Sequence, residues 1–131
     1  MTHNEEKYNI SVVIPTFNGA ERVPDVLNAL QSQRGICDIR IEVLVVDNNS
    51  TDRTREMVLD HIGVYGASLD THYLFEARPG AGRACIRGAE RARGELLGFL
   101  DDDNVPAGDW VCNAVDFGRR HPRAAAWASK V

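Results

Sequence analysis

The chain has 131 residues, 44% of them hydrophobic and 26% charged, which is room for one domain with an ordinary buried core. A formal net charge of −4 and the lack of a basic stripe argue against nucleic acid as a partner, because phosphate binding needs clustered Lys and Arg. No apolar run of about 18 residues is present, so no transmembrane segment is expected in this chain. Its three widely spaced cysteines, Cys37, Cys85 and Cys112, fit reduced cytoplasmic thiols better than a disulfide framework or a zinc site.

Residues 1–9 are polar and acidic and lack the apolar core of a signal peptide, so they read as a flexible tail before a domain at 10–131. Ile10–Pro15, "ISVVIP", is a β-branched apolar run stopped by proline, and predicts a buried strand. Pro24 suits a helix start, Val23, Val26, Leu27 and Leu30 recur at helical spacing, and Gly35 is the expected stop. Ile39–Asp47 predicts a second buried strand, followed by "NNST" with Ser50 or Thr51 as N-cap candidates. Met57, Val58 and Ile62 mark the apolar face of a second helix. Thr71–Ala77 predicts a third strand, and about Gly80 to Arg93 a third helix despite Gly82 and Gly88. Glu95–Leu100 predicts a fourth strand and Asp109–His121 a fourth helix, broken at Pro122. "AAAWASKV", Ala124–Val131, has the composition to begin a fifth strand.

This alternation predicts an α/β fold, a three-layer α/β/α sandwich around a mostly parallel sheet. Ligands in such sheets bind beyond the carboxyl ends of the strands. Three polar loops should converge there: "PTFNGA" after the first strand, "DNNSTD" after the second and "DDDN" after the fourth. Taken singly, Thr16 and Asn18 suit an ordinary turn with Gly19, and Asp47 suits an Asx-turn or helix cap as well as a ligand contact. The three aspartates ask for more. In an extended segment, carboxylates at i and i+2 face the same way, so Asp101 and Asp103 would converge. Convergent hard oxygens suit a divalent cation, Mg²⁺ or Mn²⁺, whose other positions go to water or substrate phosphate.

Other phosphate-binding patterns do not match. "PTFNGA" lacks the glycine fingerprint of a dinucleotide fold, the GK[ST] of a P-loop is absent, and "DDDNVPAGDWVC" lacks the EF-hand register. The GxG in "RPGAGRACIRG" follows the third predicted strand, not the first. Haloacid-dehalogenase-like phosphatases place their paired aspartates after the first strand, whereas these follow the fourth.

"ISVVIPTFN", "EVLVVDNNSTDRT" and "RARGELLGFLDDDNVP" resemble, in order and spacing, the inverting family-2 glycosyltransferases of the GT-A fold, over about Ile10 to Val131. The resemblance implies a nucleotide-diphospho-sugar donor, a divalent metal (Mn²⁺ or Mg²⁺) and a hydroxyl acceptor on a saccharide, lipid or protein. It also implies that Pro15 and Thr16 lie beside the nucleobase and that Asp47 accepts a hydrogen bond from it. Asp101–Asp103 resemble the family's DxD motif: Asp103, with Asp101, would bind the metal, and Asp101 or Asp102 would contact ribose or sugar.

The chain departs from that pattern in two places. Where many members have Ala-Arg-Asn, it reads Ala84, Cys85, Ile86, so Arg83 or Arg87 becomes the candidate donor cation, each with the alternative of a solvated helix residue. Cys85 reads as a small packing residue. The family's general base lies well downstream of DxD, but here only Asp109, a candidate cap, and Asp116, a candidate surface residue, follow. The expectation is therefore a truncated, nucleotide-sugar-binding part of a transferase, inactive alone, with its base beyond residue 131. Its expected location is the cytoplasm, at the inner membrane face for a longer protein. Truncation would leave an open edge near "AAAWASKV", at which a homodimer is expected. The alternatives are a non-catalytic nucleotide-sugar-binding module and, after it, a sugar-phosphate nucleotidyltransferase, which would need a glycine-rich basic loop in place of "PTFNGAERV".

Overall fold

In the computed structural model, which describes residues 7–126, four parallel strands alternate with four helices. They run β1 (Ile10–Thr16), α1 (Val23–Gln31), β2 (Ile41–Asp47), α2 (Thr54–Tyr65), β3 (Asp70–Phe75), α3 (Ala81–Arg91), β4 (Leu96–Phe99) and α4 (Trp110–Arg120). The sheet order is β3-β2-β1-β4. From β1 to β3 the chain advances in one direction, and α1 and α2 lie on one face, as right-handed crossovers require. The next crossover must return past β2 and β1 to reach β4, so α3 lies on the opposite face. The core divides accordingly. Val12 and Ile14 of β1 and Val43 and Val45 of β2 pack with α1, α2 and α4, while Val13, Leu44, Val46 and Leu74 pack against Ala84 of α3.

β1 runs one residue past its expected end and carries Pro15 inside a central strand, a position proline usually avoids. The ladder explains why it is tolerated. The Val13 carbonyl accepts the Leu100 N–H, so by the two-residue alternation the Pro15 nitrogen also faces the β4 side. β4 has already ended at that level, its last partner being Phe99 opposite Val13, so no partner loses a bond.

Several boundaries move. α1 ends at Gln31 with Ser32 as its cap, four residues before Gly35. Gly35 instead occupies a left-handed turn, φ 73°, pressed on Cys112 of α4. The buried Gln33 ties the same region to α4: its amide donates to the Ala29 and Ala107 carbonyls and its oxygen accepts the Val111 N–H. Neither Ser50 nor Thr51 caps α2; both stay in the loop, and Asp52 accepts the Thr54 N–H at 3.0 Å. Tyr8 and Asn9, counted with the tail from sequence, belong to the fold. Their carbonyls accept the Glu95 and Leu96 N–H groups, the Tyr8 hydroxyl bonds Asp70, and Arg40 and Arg93 stack on the Tyr8 ring. Beside them the buried Glu42 carboxylate accepts the Ser11 hydroxyl and the Arg93 N–H and pairs with the Arg93 guanidinium.

The expected strand at Ala124–Val131 lies mostly outside the described residues; Ala124–Ala126 are exposed and in no strand. Leu97 and Phe99 of β4 are exposed on the α3 side of the sheet. All three cysteines are free. No helix among the described residues is long and apolar enough to cross a membrane.

The two glycines that weaken α3 as a sequence have different structural meanings. A Cβ on Gly88 would lie 2.4 Å from Val13 Cγ1, so this glycine lets α3 settle on β1; a Cβ on Gly82 would meet nothing within 4 Å. Gly82→Ala is expected to stabilise by roughly 0.5–1 kcal/mol through helix propensity. Gly88→Ala is expected to destabilise by roughly 1–3 kcal/mol through overpacking. Urea melts of the two variants should therefore shift in opposite directions, and a shared direction would contradict the packing of α3.

Candidate functional site

Parallel register brings the strand ends to one edge. Thr16 pairs with Asp47, and Asp47 with Phe75. β4 stops lower, opposite Val13, and the chain after it turns over the end of β1. The three polar loops do meet there. Asn18, at φ 51°, accepts the Thr51 N–H at 2.8 Å through its side-chain oxygen. The Asn18, Gly19 and Ala20 N–H groups donate to Ser50 Oγ, Thr54 Oγ1 and Asp52 Oδ2. Burial pushes the Asp52 carboxyl up, but bonds from the Thr54 hydroxyl and from the Thr54, Ala20 and Asp52 N–H groups together hold it below the usual range.

Asp47 is buried, and both of its oxygens have protein partners. Oδ1 accepts the Ser50 N–H at 2.9 Å and Oδ2 accepts the Tyr73 hydroxyl at 2.6 Å. Burial and this bond to a carboxylate push the Tyr73 phenol up, so Tyr73 donates throughout the neutral range. Asp47 therefore makes the local turn that its position suggested, and also lines an open cleft of about 570 Å³ with Ser50, Asp52, Arg55, Glu56, Tyr73 and Phe75. Pro15 is half-buried and Thr16 buried at the neighbouring strand end.

The "DDDN" segment is not extended, which corrects the expectation that Asp101 and Asp103 share a face through strand alternation. It is a turn in which the Asn104 N–H donates to the Asp101 carbonyl at 3.2 Å. The physical reason lies in Asp102: its carboxylate accepts the Thr16 hydroxyl at 2.8 Å and pairs with Arg22 at 3.0 Å, bending the chain towards β1. Asp101 and Asp103 stay exposed, and no hydrogen bond or ion pair among the described residues engages either carboxylate. The described residues contain no group of three or more His, Cys, Asp or Glu side chains placed to hold a metal by themselves. Two free carboxylates at a strand end still match the donor set of a hard cation that completes its shell with phosphate and water.

On the other side stands α3. Cys85 is half-buried, and burial followed by the charge of Asp101 raises its thiol pKa, so it is a protonated neighbour of the turn. Arg83 is exposed on the first turn of α3, and Arg87 is half-buried. Asn48 anchors the loop before α3, donating to the Glu76 and Arg78 carbonyls and accepting the Gly80 N–H. Asp116 forms a surface pair with Arg120, and Asp109 stands at the N-cap of α4 without a side-chain capping bond.

Sequence reasoning passed over Arg22, Tyr73 and Phe17. Arg22 read as loop chemistry, and Tyr73 as one more strand residue. Phe17 is 55% exposed just after β1; an aromatic residue inside the polar stretch "PTFNGA" was the legible signal.

Residues 11–131 match the sequence profile of Glycosyl transferase family 2. Glycosyltransferase AglE of Haloferax volcanii is 37% identical over 106 residues, 81% of this chain and 34% of that protein. Dolichyl-phosphate beta-glucosyltransferase of Mus musculus is 32% identical over 101 residues, 73% of this chain and 31% of that protein. Among solved structures, the mannosyltransferase PcManGT from Pyrobaculum calidifontis, in complex with GDP-Man and Mn²⁺, superposes with a TM-score of 0.77 at 28% identity, over 87% of this chain and 33% of that one. S. aureus TarS 1-349 in complex with UDP superposes with a TM-score of 0.74 at 28% identity, over 87% and 33% of the two chains. The chain thus spans about a third of the length of these relatives. Its profile match and its identity to these transferases place it in one family: the chain belongs to glycosyl transferase family 2.

Proposed function

We propose that this chain forms the donor site of an inverting glycosyltransferase, which takes a nucleotide-diphospho-sugar and passes the sugar to a hydroxyl acceptor in polysaccharide or glycoconjugate synthesis. The observation that carries the reading is the meeting of the β1, β2 and β4 loops where the strand order reverses: Thr16, paired with Asp47, also holds Asp102 of the turn that leaves the Asp101 and Asp103 carboxylates exposed. UDP and GDP-Man, held by the neighbours TarS and PcManGT, are the donor types to test first.

Asp47 accepts a hydrogen bond from a base N–H, with Pro15 and Thr16 beside it. Phe17 supplies an apolar ring on which a base can stack. Arg83 offers a positive charge on the first turn of α3, where unpaired helix N–H groups also favour the anionic diphosphate. Asp103, with Asp101, would hold Mn²⁺ or Mg²⁺. Bound there, the cation neutralises the negative charge that grows on the leaving diphosphate. The acceptor hydroxyl needs a general base. Asp116 is paired with Arg120 on the exposed side of α4 and Asp109 stands at its N-cap, so neither is assigned that role.

Nucleotide and cation should bind together. Calorimetric titration of UDP and of GDP, with and without Mn²⁺, is expected to show at least tenfold tighter binding of one nucleotide when Mn²⁺ is present. Asp103→Ala should abolish that gain. Equal affinity in all conditions would sink the metal role.

The two bonds to Asp47 make its substitution informative in a second way. Asp47→Ala is expected to weaken nucleotide binding by roughly 1–3 kcal/mol and to lower stability by a similar amount, since the Ser50 N–H and Tyr73 hydroxyl lose their acceptor. Tyr73→Phe should cost roughly 1 kcal/mol of stability and change nucleotide affinity far less than Asp47→Ala. If Tyr73→Phe weakens the nucleotide as much as Asp47→Ala does, Asp47 acts by shaping the loop rather than by touching the base.

A further inference from the structure

We propose that Arg22 and Asp102 are a positioning pair: Asp102 is not a ligand of the donor or cation but the anchor that sets the Asp101–Asn104 turn and presents Asp101 and Asp103. The family resemblance implied that Asp101 or Asp102 contacts the ribose or sugar, and the geometry gives Asp102 other work. Arg22 grips both of its oxygens, Nε to Oδ1 at 3.1 Å and Nη2 to Oδ2 at 3.0 Å. The Thr16 hydroxyl donates to Oδ2 as well, at 2.8 Å. A carboxylate offers about four lone-pair directions, and three are used. The Asp102 side chain is only 15% exposed, against 44% for Arg22, so the carboxylate is turned in and the guanidinium covers it.

Gly19 closes the remaining side. A Cβ there would lie 2.1 Å from Thr16 Oγ1 and 2.8 Å from Asp102 Oδ2, so the pair fits only against bare backbone. Arg22 Nη2 also donates to the Phe17 carbonyl at 3.1 Å, fixing the guanidinium to the loop it belongs to. That loop is held in turn by Ser50, Asp52 and Thr54. A continuous set of bonds therefore runs from the β2–α2 loop through the β1–α1 loop to the aspartate turn. Planar bidentate pairing suits this task, because it fixes orientation as well as distance.

The effect on ligand binding rests on the donor-site reading above, whereas the effect on the turn does not, and the test separates them. Arg22→Ala, Asp102→Ala, the double variant and Arg22→Lys are compared with the parent chain, each checked for folding by circular dichroism. Without ligand, backbone ¹⁵N order parameters at residues 101–104 are expected near 0.85 in the parent and below about 0.6 in each alanine variant and the double. Arg22→Lys should fall between, since an ammonium cannot span both oxygens. Unchanged order parameters in Arg22→Ala would overturn the pair. With Mn²⁺ and UDP or GDP as probes, each alanine variant should lose about tenfold in affinity, and the double variant no more than either. A further tenfold loss on adding Asp102→Ala to Arg22→Ala would mark Asp102 as a direct ligand and overturn the proposal. Should the parent chain bind neither nucleotide with Mn²⁺, the functional reading fails and the order parameters alone decide the pair.

Discussion

β1 is hydrogen-bonded to a parallel strand on each side, and the rest of the molecule depends on that constraint. Parallel pairing forbids a hairpin, so every strand must be reached by a crossover helix. Because β4 joins on the far side of β1, the crossovers split between two faces, and the strand order reverses at the β1–β4 seam, where such sheets bind ligands. The carboxyl ends of β1 and β2 are level, and that of β4 is lower. That difference in height creates the space into which the aspartate turn folds.

Three adjacent carboxylates would repel one another strongly if they shared one environment. The turn gives them different ones. Asp102 is turned in and neutralised by Arg22; Asp101 lies near the protonated thiol of Cys85; Asp103 is in solvent. The charge of Asp103 and that of Asp52 also reach Arg22, so this one cation balances acids from two loops. Cys85 occupies the place where the family resemblance leads one to expect arginine. A neutral residue there leaves Asp101 without a charged partner on α3.

The opposite end of the sheet is built differently. There the buried Glu42 carboxylate joins Ser11 and Arg93 through hydrogen bonds, and Tyr8 is held by Asp70 and two arginines. These contacts lock the entry to β4 against β1 and β2. Gly88 lets α3 lie close on the strand between them. One end of the sheet is thus closed by polar groups that satisfy each other, while the other end keeps carboxylates free. This is the division expected when ligands enter at the carboxyl ends.

The sequence by itself determined the alternation of strands and helices, the parallel sheet and the three loops at its carboxyl edge. Those features are written in local periodicity and in the handedness of crossovers, which act over short stretches of chain. Family membership was legible for a related reason, since its motifs are contiguous. What only the tertiary structure decided is what each polar side chain touches. Asp47 is shared between Ser50 and Tyr73, which come from a loop and a different strand. Asp102 faces Arg22, 80 residues away in the chain. α2 starts after Asp52 rather than at Ser50 because Ser50 bonds the Asn18 backbone. The aspartates leave the strand conformation because β4 stops at Phe99 and the Arg22–Asp102 pair bends the chain that follows. Apart from the local Asp47–Ser50 turn, the deciding bonds join segments far apart in sequence, and no local pattern of residue types encodes such a partner.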